Sequence, residues 1–222
     1  MDSSMTILEG WNYKLILEKQ KIPDILLLKP AVNIDDRGYF IESFRQSIFE
    51  DIGKRIIFVQ ENIASTKNSG VIRGLHYQLS MPQGKLIHVI AGAILDVAVD
   101  VRQGSPYFGQ HVMINLNSNN NELLYIPEGF AHGYLVIKSN TIIQYKCTNY
   151  YQSESEYGII WNDSEVNISW GISHPFLSKK DSELPTLKEQ KYLPSYKWKI
   201  YYYLVVMIFY LIKIYKKVSL IY

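Results

Sequence analysis

Cysteine is almost absent from this sequence: 222 residues contain one thiol, Cys147. That excludes an internal disulfide framework and a thiolate metal cluster. An excess of one charge sign is also lacking. The formal net charge is +2, whereas nucleic-acid binders usually carry a strong basic surplus, so no nucleic-acid partner is expected. No G-x-G-x-x-G, P-loop or G-x-S-x-G pattern occurs, which argues against cofactors and nucleophiles presented by those devices. The first twenty residues, MDSSMTILEGWNYKLILEKQ, have no continuous apolar run of the signal-peptide kind. A reducing cytoplasm is the expected compartment. Long hydrophobic runs are missing except near the end, where residues 200–212 read IYYYLVVMIFYLI, thirteen residues without a charge. A bilayer span needs ~17–25 residues. A buried or interfacial segment is therefore preferred to a membrane anchor, and a tail foreign to the domain is a third reading.

What is present is β-structure. The composition, 47% hydrophobic and 20% charged, suits an ordinary globular core. Segments such as DILLLK, GYFIESF, RIIFVQENIA, KLIHVIAGAILDVAVDVR, HVMINLN, ELLYIP, AHGYLVI, TIIQYKCTNYY, GIIWND and NISW are rich in β-branched and aromatic residues. Turn signals separate them: DDRG, KNSG, AG, RQGSPYFG, NSNNNE, PEG. One stretch, residues 43–55, has the helical spacing Phe44, Ile48, Ile52. Many short strands and almost no helix predict an all-β sandwich or barrel. The expected organisation is an N-terminal extension (1–21), one β domain (22–188) and a distinct hydrophobic tail (189–222). In ILDVAVDVR, Leu95, Val97, Val99 and Val101 alternate with Asp96, Ala98, Asp100 and Arg102. One face should pack and the other line a wet cavity or the surface. The ordinary expectation for both aspartates is a solvated face, above all for Asp100 beside Arg102.

The stretch RGLHYQ (73–78) raises a question about chemistry. Strict alternation puts Gly74, His76 and Gln78 on one face and Arg73, Leu75 and Tyr77 on the other. A face of glycine, imidazole and amide is a poor core face. Polar groups also stand on or near other strands: Lys85, His132 and Tyr145, with Asp181 near the end of the domain. Singly, each has a bland reading, and the tyrosine is one of 18. Pro127, Gly129 and His132 in IPEGFAHGY resemble the second metal motif of cupin barrels, but the corresponding first motif reads His76-Tyr77-Gln78 and lacks its second histidine. Two imidazoles without a nearby third ligand make a weak transition-metal site, so a barrel without metal is preferred. General acid–base chemistry remains. Histidine is a ready base near neutral pH, a carboxylate can orient it, a phenol can return a proton, and a lysine can stabilise an enolate oxygen.

Several long motifs, in order, carry a resemblance to a family. DDRGYFIESF, FVQENIASTKNSGVIRGLHYQ, PQGKLIHVIAGAILDVAVDVRQGSP, LYIPEGFAHGYLV, YKCTNYY, GIIWND and LSKKD resemble the dTDP-4-dehydrorhamnose 3,5-epimerases over roughly residues 22–188. The resemblance implies a cupin-like jelly roll with no cofactor and no catalytic metal, assembled as a homodimer. It implies His76 as the base at C3 and C5, Asp181 as its carboxylate partner, Tyr145 as the acid on the opposite face and Lys85 as the group at the enolate oxygen. It implies substrate contacts from Gln60, Asn62, Arg73, His132, Tyr151, Glu156 and Lys180. Arg37 and Glu42 would come from the partner subunit. Gly74 would keep the strand surface open, making the polar side of RGLHYQ a reaction chamber.

The activity so implied is 3,5-epimerisation of dTDP-4-dehydro-6-deoxy-D-glucose to dTDP-4-dehydro-L-rhamnose. A C3-only or C5-only epimerase is the near alternative. A metal-dependent cupin using His76 and His132, and a non-catalytic nucleotide-sugar binding module, are the distant ones.

Overall fold

Short β-prone runs broken by Gly, Asn and Pro become strands in the computed structural model, which describes residues 5–10, 13–52 and 54–196. They are β1 (Met5–Gly10), β2 (Tyr13–Lys19), β3 (Leu26–Pro30), β4 (Val32–Asp35), β5 (Gly38–Ile41), β6 (Gln60–Thr66) and β7 (Ile72–Gln78). There follow β8 (Lys85–Ala91), β9 (Ala93–Asp100), β10 (His111–Asn117), β11 (Leu123–Ile126), β12 (Phe130–Val136), β13 (Thr141–Cys147) and β14 (Glu156–Gly158). Helix is confined to α1 (Ser47–Asp51), α2 (Lys179–Ser182) and a 3₁₀ turn at Ser153–Ser155. The segment 200–212 lies outside the described residues. Among the described residues no helix is long and apolar enough to cross a membrane.

A seven-stranded sheet, β1-β2-β3-β11-β8-β13-β6, faces a five-stranded sheet, β10-β9-β12-β7-β14, while β4 and β5 form a separate hairpin. The pairings between these strands are antiparallel. This is a cupin-like jelly roll, with residues 5–10 and 13–19 joined to the larger sheet through β2 and β3.

Alternation along each strand supplies three apolar layers. Between the sheets, Leu27, Ile87, Val89, Leu124 and Ile143 meet Ile94, Val112, Leu116, Phe130 and Val136. Outside the larger sheet, Leu15, Leu17, Leu26, Leu28 and Tyr125 are covered by Ile48 and Phe49 of α1. Outside the smaller sheet, Leu75, Tyr77, Val97, Val99 and Leu135 are covered by Ile159, Val166, Ile168, Trp170 and Leu187. Each such fully buried side chain contributes about 1.5–3 kcal/mol relative to exposure.

Three expectations from the sequence need correction. The helix expected over 43–55 shrinks to five residues: Gln46 provides no side-chain cap, and Ile52 has already left helical geometry (φ −90°, ψ 12°). Phe44 and Ile52 still pack against the outer apolar layer, so their spacing reflects a buried face more than a long helix. GIIWND and NISW are not strands beyond Gly158. Their Ile159, Ile168 and Trp170 are apolar because they cover the smaller sheet. Finally, Asp96 and Asp100 are both fully buried. Their face of β9, shared with Ile94 and Ala98, packs toward the larger sheet, and the 159–187 segment covers the opposite face, so neither side meets bulk water. Asp100 is neutralised by Arg102, whose Nε and Nη2 donate to it at 2.9 and 2.6 Å, and it accepts from Ser105 Oγ at 2.6 Å. The Asp100–Arg102 pairing that suggested a surface is a buried staple, and Arg102 also stacks on Phe130 and Tyr196.

Candidate active site

One end of the space between the sheets is not filled. A cavity of about 670 Å³ opens there, and cross-strand register explains its lining. In the larger sheet Cys147 pairs with Lys85 and Gln60, and Tyr145 pairs with Ile87 and Asn62. One row further, Ile143 lies between Val89 and Ala64. Directly paired residues share a face, so Lys85, Gln60, Asn62 and Tyr145 point inward just beyond the apolar rows. In the smaller sheet His76 pairs with His132 and Gly158, Gln78 pairs with Glu156, and Tyr134 pairs with Asp96. The cavity is therefore walled by two polar faces from opposite sheets.

Strand β7 does not alternate as the sequence suggested. Its register against β12 shifts between His132 and Tyr134, and Arg73 joins His76 and Gln78 in lining the cavity while Leu75 and Tyr77 stay in the outer core. Gly74 sits at this irregularity with φ 102°, where a Cβ would come within 2.5 Å of the His132 carbonyl oxygen. Glycine is required here for backbone approach. The expected reason, an open strand surface, is incorrect.

His76 is held between two carboxylates. Its Nε2 is 2.6 Å from Asp181 Oδ1, and its Nδ1 is 3.5 Å from Glu156 Oε1. Asp181 reaches this position from α2, whose first turn is capped: the Asp181 backbone N–H donates to Ser178 Oγ at 3.0 Å. Burial would raise the Asp181 pKa, but bonds from His76, Ser178 and the Gly74 backbone hold it below the usual carboxylate value. Glu156 behaves likewise: burial opposes ionisation, yet Lys180, Tyr151 and His76 hold its pKa down. Tyr151 donates its hydroxyl to Glu156 Oε2 at 2.7 Å, and Lys180 Nζ contacts the same oxygen. His132 Nε2 lies 2.9 Å from Asp96 Oδ2.

The facing sheet carries groups of opposite character. Burial pushes the Lys85 pKa down, against the pull of Cys147, Glu156 and Asp96. Burial pushes the Tyr145 phenol up; Cys147 adds to this, Arg73 opposes it and Glu156 adds further. A phenol so shifted stays protonated at neutral pH and is available as a donor. At the mouth, Gln60 Nε2 donates to Asn62 Oδ1 at 3.1 Å, and Gln60 Oε1 accepts from the Tyr151 backbone at 2.9 Å. Gln78, only 3% exposed, ties the 150–152 loop to β7 through bonds with Tyr150 O and Gln152 N.

Eleven of the thirteen residues singled out in the sequence line this one cavity: His76, Lys85, Tyr145, Asp181, Gln60, Asn62, Arg73, His132, Tyr151, Glu156 and Lys180. Arg37 and Glu42 do not. Arg37 is exposed beside the β4–β5 turn and pairs with Asp35; Glu42 follows β5 and pairs with Arg45 at 2.5–2.6 Å. Sequence reasoning missed Asp96, the partner of His132, because alternation alone sent it to solvent. Its place between two wholly buried valine-rich stretches was the available signal. Among the described residues no cluster of three or more His, Cys, Asp or Glu side chains is arranged to hold a metal ion.

The family model described as dTDP-4-dehydrorhamnose 3,5-epimerase matches residues 19–189. The dTDP-4-dehydrorhamnose 3,5-epimerase of Shigella flexneri is 47% identical over 165 residues, 73% of this chain and 91% of that protein. Its Salmonella typhimurium counterpart is 46% identical over 178 residues, 79% of this chain and 97% of that protein. Among solved structures, dTDP-6-deoxy-D-glucose-3,5-epimerase of Legionella pneumophila Philadelphia 1, in complex with dTDP-4-keto-L-rhamnose, superposes with a TM-score of 0.79 at 38% identity. That match covers 87% of this chain and all of the other.

Proposed function

The chain belongs to the dTDP-4-dehydrorhamnose 3,5-epimerase family, and from that premise we propose how its cavity performs the reaction. The enzyme is an isomerase that inverts C3 and C5 of dTDP-4-dehydro-6-deoxy-D-glucose, giving dTDP-4-dehydro-L-rhamnose in dTDP-rhamnose synthesis. Both carbons flank the C4 ketone, so loss of either proton leaves an electron pair that delocalises onto the ketone oxygen.

His76 is the base. With Nε2–H donated to Asp181, the neutral ring keeps its lone pair on Nδ1, and Asp181 stabilises the imidazolium once a proton is taken. Lys85 meets the negative charge that develops on the C4 oxygen, in a water-poor pocket where such a contact is strong. Tyr145, kept protonated by burial, returns a proton to the opposite face. The observation that carries this reading is the division between sheets: base on β7, donor on β13, cavity between. Inversion needs removal and return from opposite sides, and a two-sheet sandwich offers two sides.

The remaining residues complete the reading. Arg73 and Lys180 supply positive charge for the diphosphate, Tyr151 a ring for the nucleotide end, and Gln60, Asn62, His132 and Glu156 polar contacts. Residues 22–188 form the epimerase domain, the compartment is the cytoplasm, and the active unit is a homodimer. Support for the dimer comes from the β4–β5 hairpin. It stands apart from both sheets and exposes Ile34, Tyr39 and Phe40 at 79, 58 and 69%, the kind of apolar surface that partners cover. A second copy would bring Arg37 and Glu42 to the cavity that they do not reach within one chain.

Proton NMR of dTDP-4-dehydro-6-deoxyglucose in D₂O tests the proposal. Deuterium should enter at both C3 and C5, and His76→Asn should slow this by about 10²–10⁴-fold while dTDP affinity is retained. Exchange at one carbon only, or undiminished exchange in His76→Asn, would refute it.

A further inference from the structure

A single base that serves two carbons must be emptied between them. When His76 removes the first proton, a C–H bond breaks, its electron pair enters the enolate, and an N–H bond forms on the ring. The second removal cannot begin until that proton has left. This requirement rests on the reading above, and the surroundings of His76 show an exit.

Two carboxylates are placed against the ring, Asp181 from α2 and Glu156 from β14, and His132 from β12 pairs with His76. Asp181 is a closed end, 4% exposed and fully engaged with His76, Ser178 and the Gly74 backbone. Glu156 differs because its two oxygens face different ways. Oε1 stands 3.5 Å from His76 Nδ1, the nitrogen left free to take a proton. Oε2 holds Tyr151 and Lys180. The Glu156 side chain is 12% exposed, whereas Tyr151 is 52% exposed and the Lys180 side chain 53%. A line of polar contacts thus runs from the imidazole, through one shielded carboxylate, to two groups at the solvent boundary. The 3.5 Å separation is close to the roughly 2.7–2.9 Å of a charge-assisted N–H···O bond.

We propose that Glu156 is the proton exit of the base, resetting His76 between the two epimerisations. The protonated ring passes its Nδ1 proton to Oε1: the N–H bond breaks, an O–H bond forms, and the ring returns to neutral. The carboxylic acid then releases the proton to water at the mouth beside Tyr151 and Lys180. The proton that leaves by this route balances the one delivered by Tyr145 and replaced from solvent, so each inversion exchanges one substrate proton for one solvent proton. Lys180 and Tyr151 keep the carboxylate weakly basic, so it holds the proton only briefly.

The test follows exchange at each carbon separately in D₂O with Glu156→Gln. With enzyme in excess, so that each base meets one sugar, the second exchange should slow relative to the first by about tenfold or more. A sugar inverted at one carbon should accumulate. Added formate or imidazole should restore the slow step in proportion to its concentration, whatever the KM of the variant, because a lost substrate contact does not respond to buffer acids. Glu156→Asp, which keeps the acid but draws it back, should show a milder defect with the same dependence on added buffer, and it carries the test if the glutamine variant does not fold. Both exchanges at wild-type rates in saturating substrate, with only KM raised, would leave Glu156 a substrate contact alone and overturn the proposal. So would a loss of rate that buffer acids leave untouched. The two readings fail separately: a wild-type enzyme that exchanges neither carbon removes the epimerase mechanism, whereas a normal wild type with an unrescued variant removes only the exit.

Discussion

The two ends of the space between the sheets are built from the same strands and do opposite work. At the closed end β13 offers Ile143, β8 offers Val89, β12 offers Val136 and β9 offers Ile94, all at most 1% exposed. Toward the open end the same inward columns continue as Tyr145 on β13, Lys85 on β8 and His132 on β12, with Asp96 on β9 wholly buried behind His132. On the inward faces the change of chemistry occurs within a few residues. The outward faces are apolar where α1 and the 159–187 segment cover them, whereas β13 and β6 present Gln144, Lys146 and Glu61 at the edge of the larger sheet. Stability thus comes from the closed end and the two outer layers, which leaves the open end free to hold groups that a core would reject.

Damage at the closed end should cost stability and spare the chemistry. Leu124 on β11 is 1% exposed, packed in the core between the sheets and absent from the cavity lining. Leu124→Ala should cost about 2–5 kcal/mol in denaturant unfolding, while kcat per folded molecule is unchanged at low temperature. A lower kcat with intact stability would show that the two ends are not separable.

The converse change, at the open end, should have the smaller stability effect and the opposite sign. Burial of the Lys85 ammonium opposes folding, so Lys85→Met should abolish exchange yet stabilise the protein by about 1 kcal/mol. A destabilised Lys85→Met would place this lysine among the groups that hold the fold.

The smallest expected effect concerns acid. Asp181 and Glu156 both have pKa values below their ordinary 3.8 and 4.5 in the folded protein. Because the folded pKa is depressed, the stability they contribute is fully present above those ordinary values. It is lost as pH falls from there through the folded-state pKa. Thermal melts should show a decline of about 1 kcal/mol or less per group below about pH 4, absent from the Asp181→Asn, Glu156→Gln double variant. A loss beginning near pH 6 would contradict the assignment.

How much of this was legible in the sequence depends on the level. The strand-rich class followed from β-branched runs and turn dipeptides, which are local signals. The convergence of His76, Lys85, Tyr145 and Asp181 on one cavity was implied only through the resemblance, because residues up to 105 positions apart cannot be brought together by periodicity. Alternation misled where a strand was buried on both faces: Asp96 and Asp100 were expected in water, since a strand with polar residues on one side usually has a wet side. It misled again at Arg73, where the register shift at Gly74 moves the guanidinium to the cavity face. The long helix expected around Ile48 failed for lack of a cap, although its apolar residues were rightly seen as a buried stripe.

The proposed mechanism rests on one division: the proton is removed from one sheet and returned from the other. Its most direct test is Tyr145→Phe incubated with dTDP-4-dehydro-6-deoxyglucose in D₂O, reading deuterium content and configuration at C3 and C5 in the same NMR spectra. Deuterium should still enter, in a His76-dependent manner, while the sugar keeps its original configuration because the only proton route left is the face from which it departed. Formation of the L-configured product at an undiminished rate would contradict it.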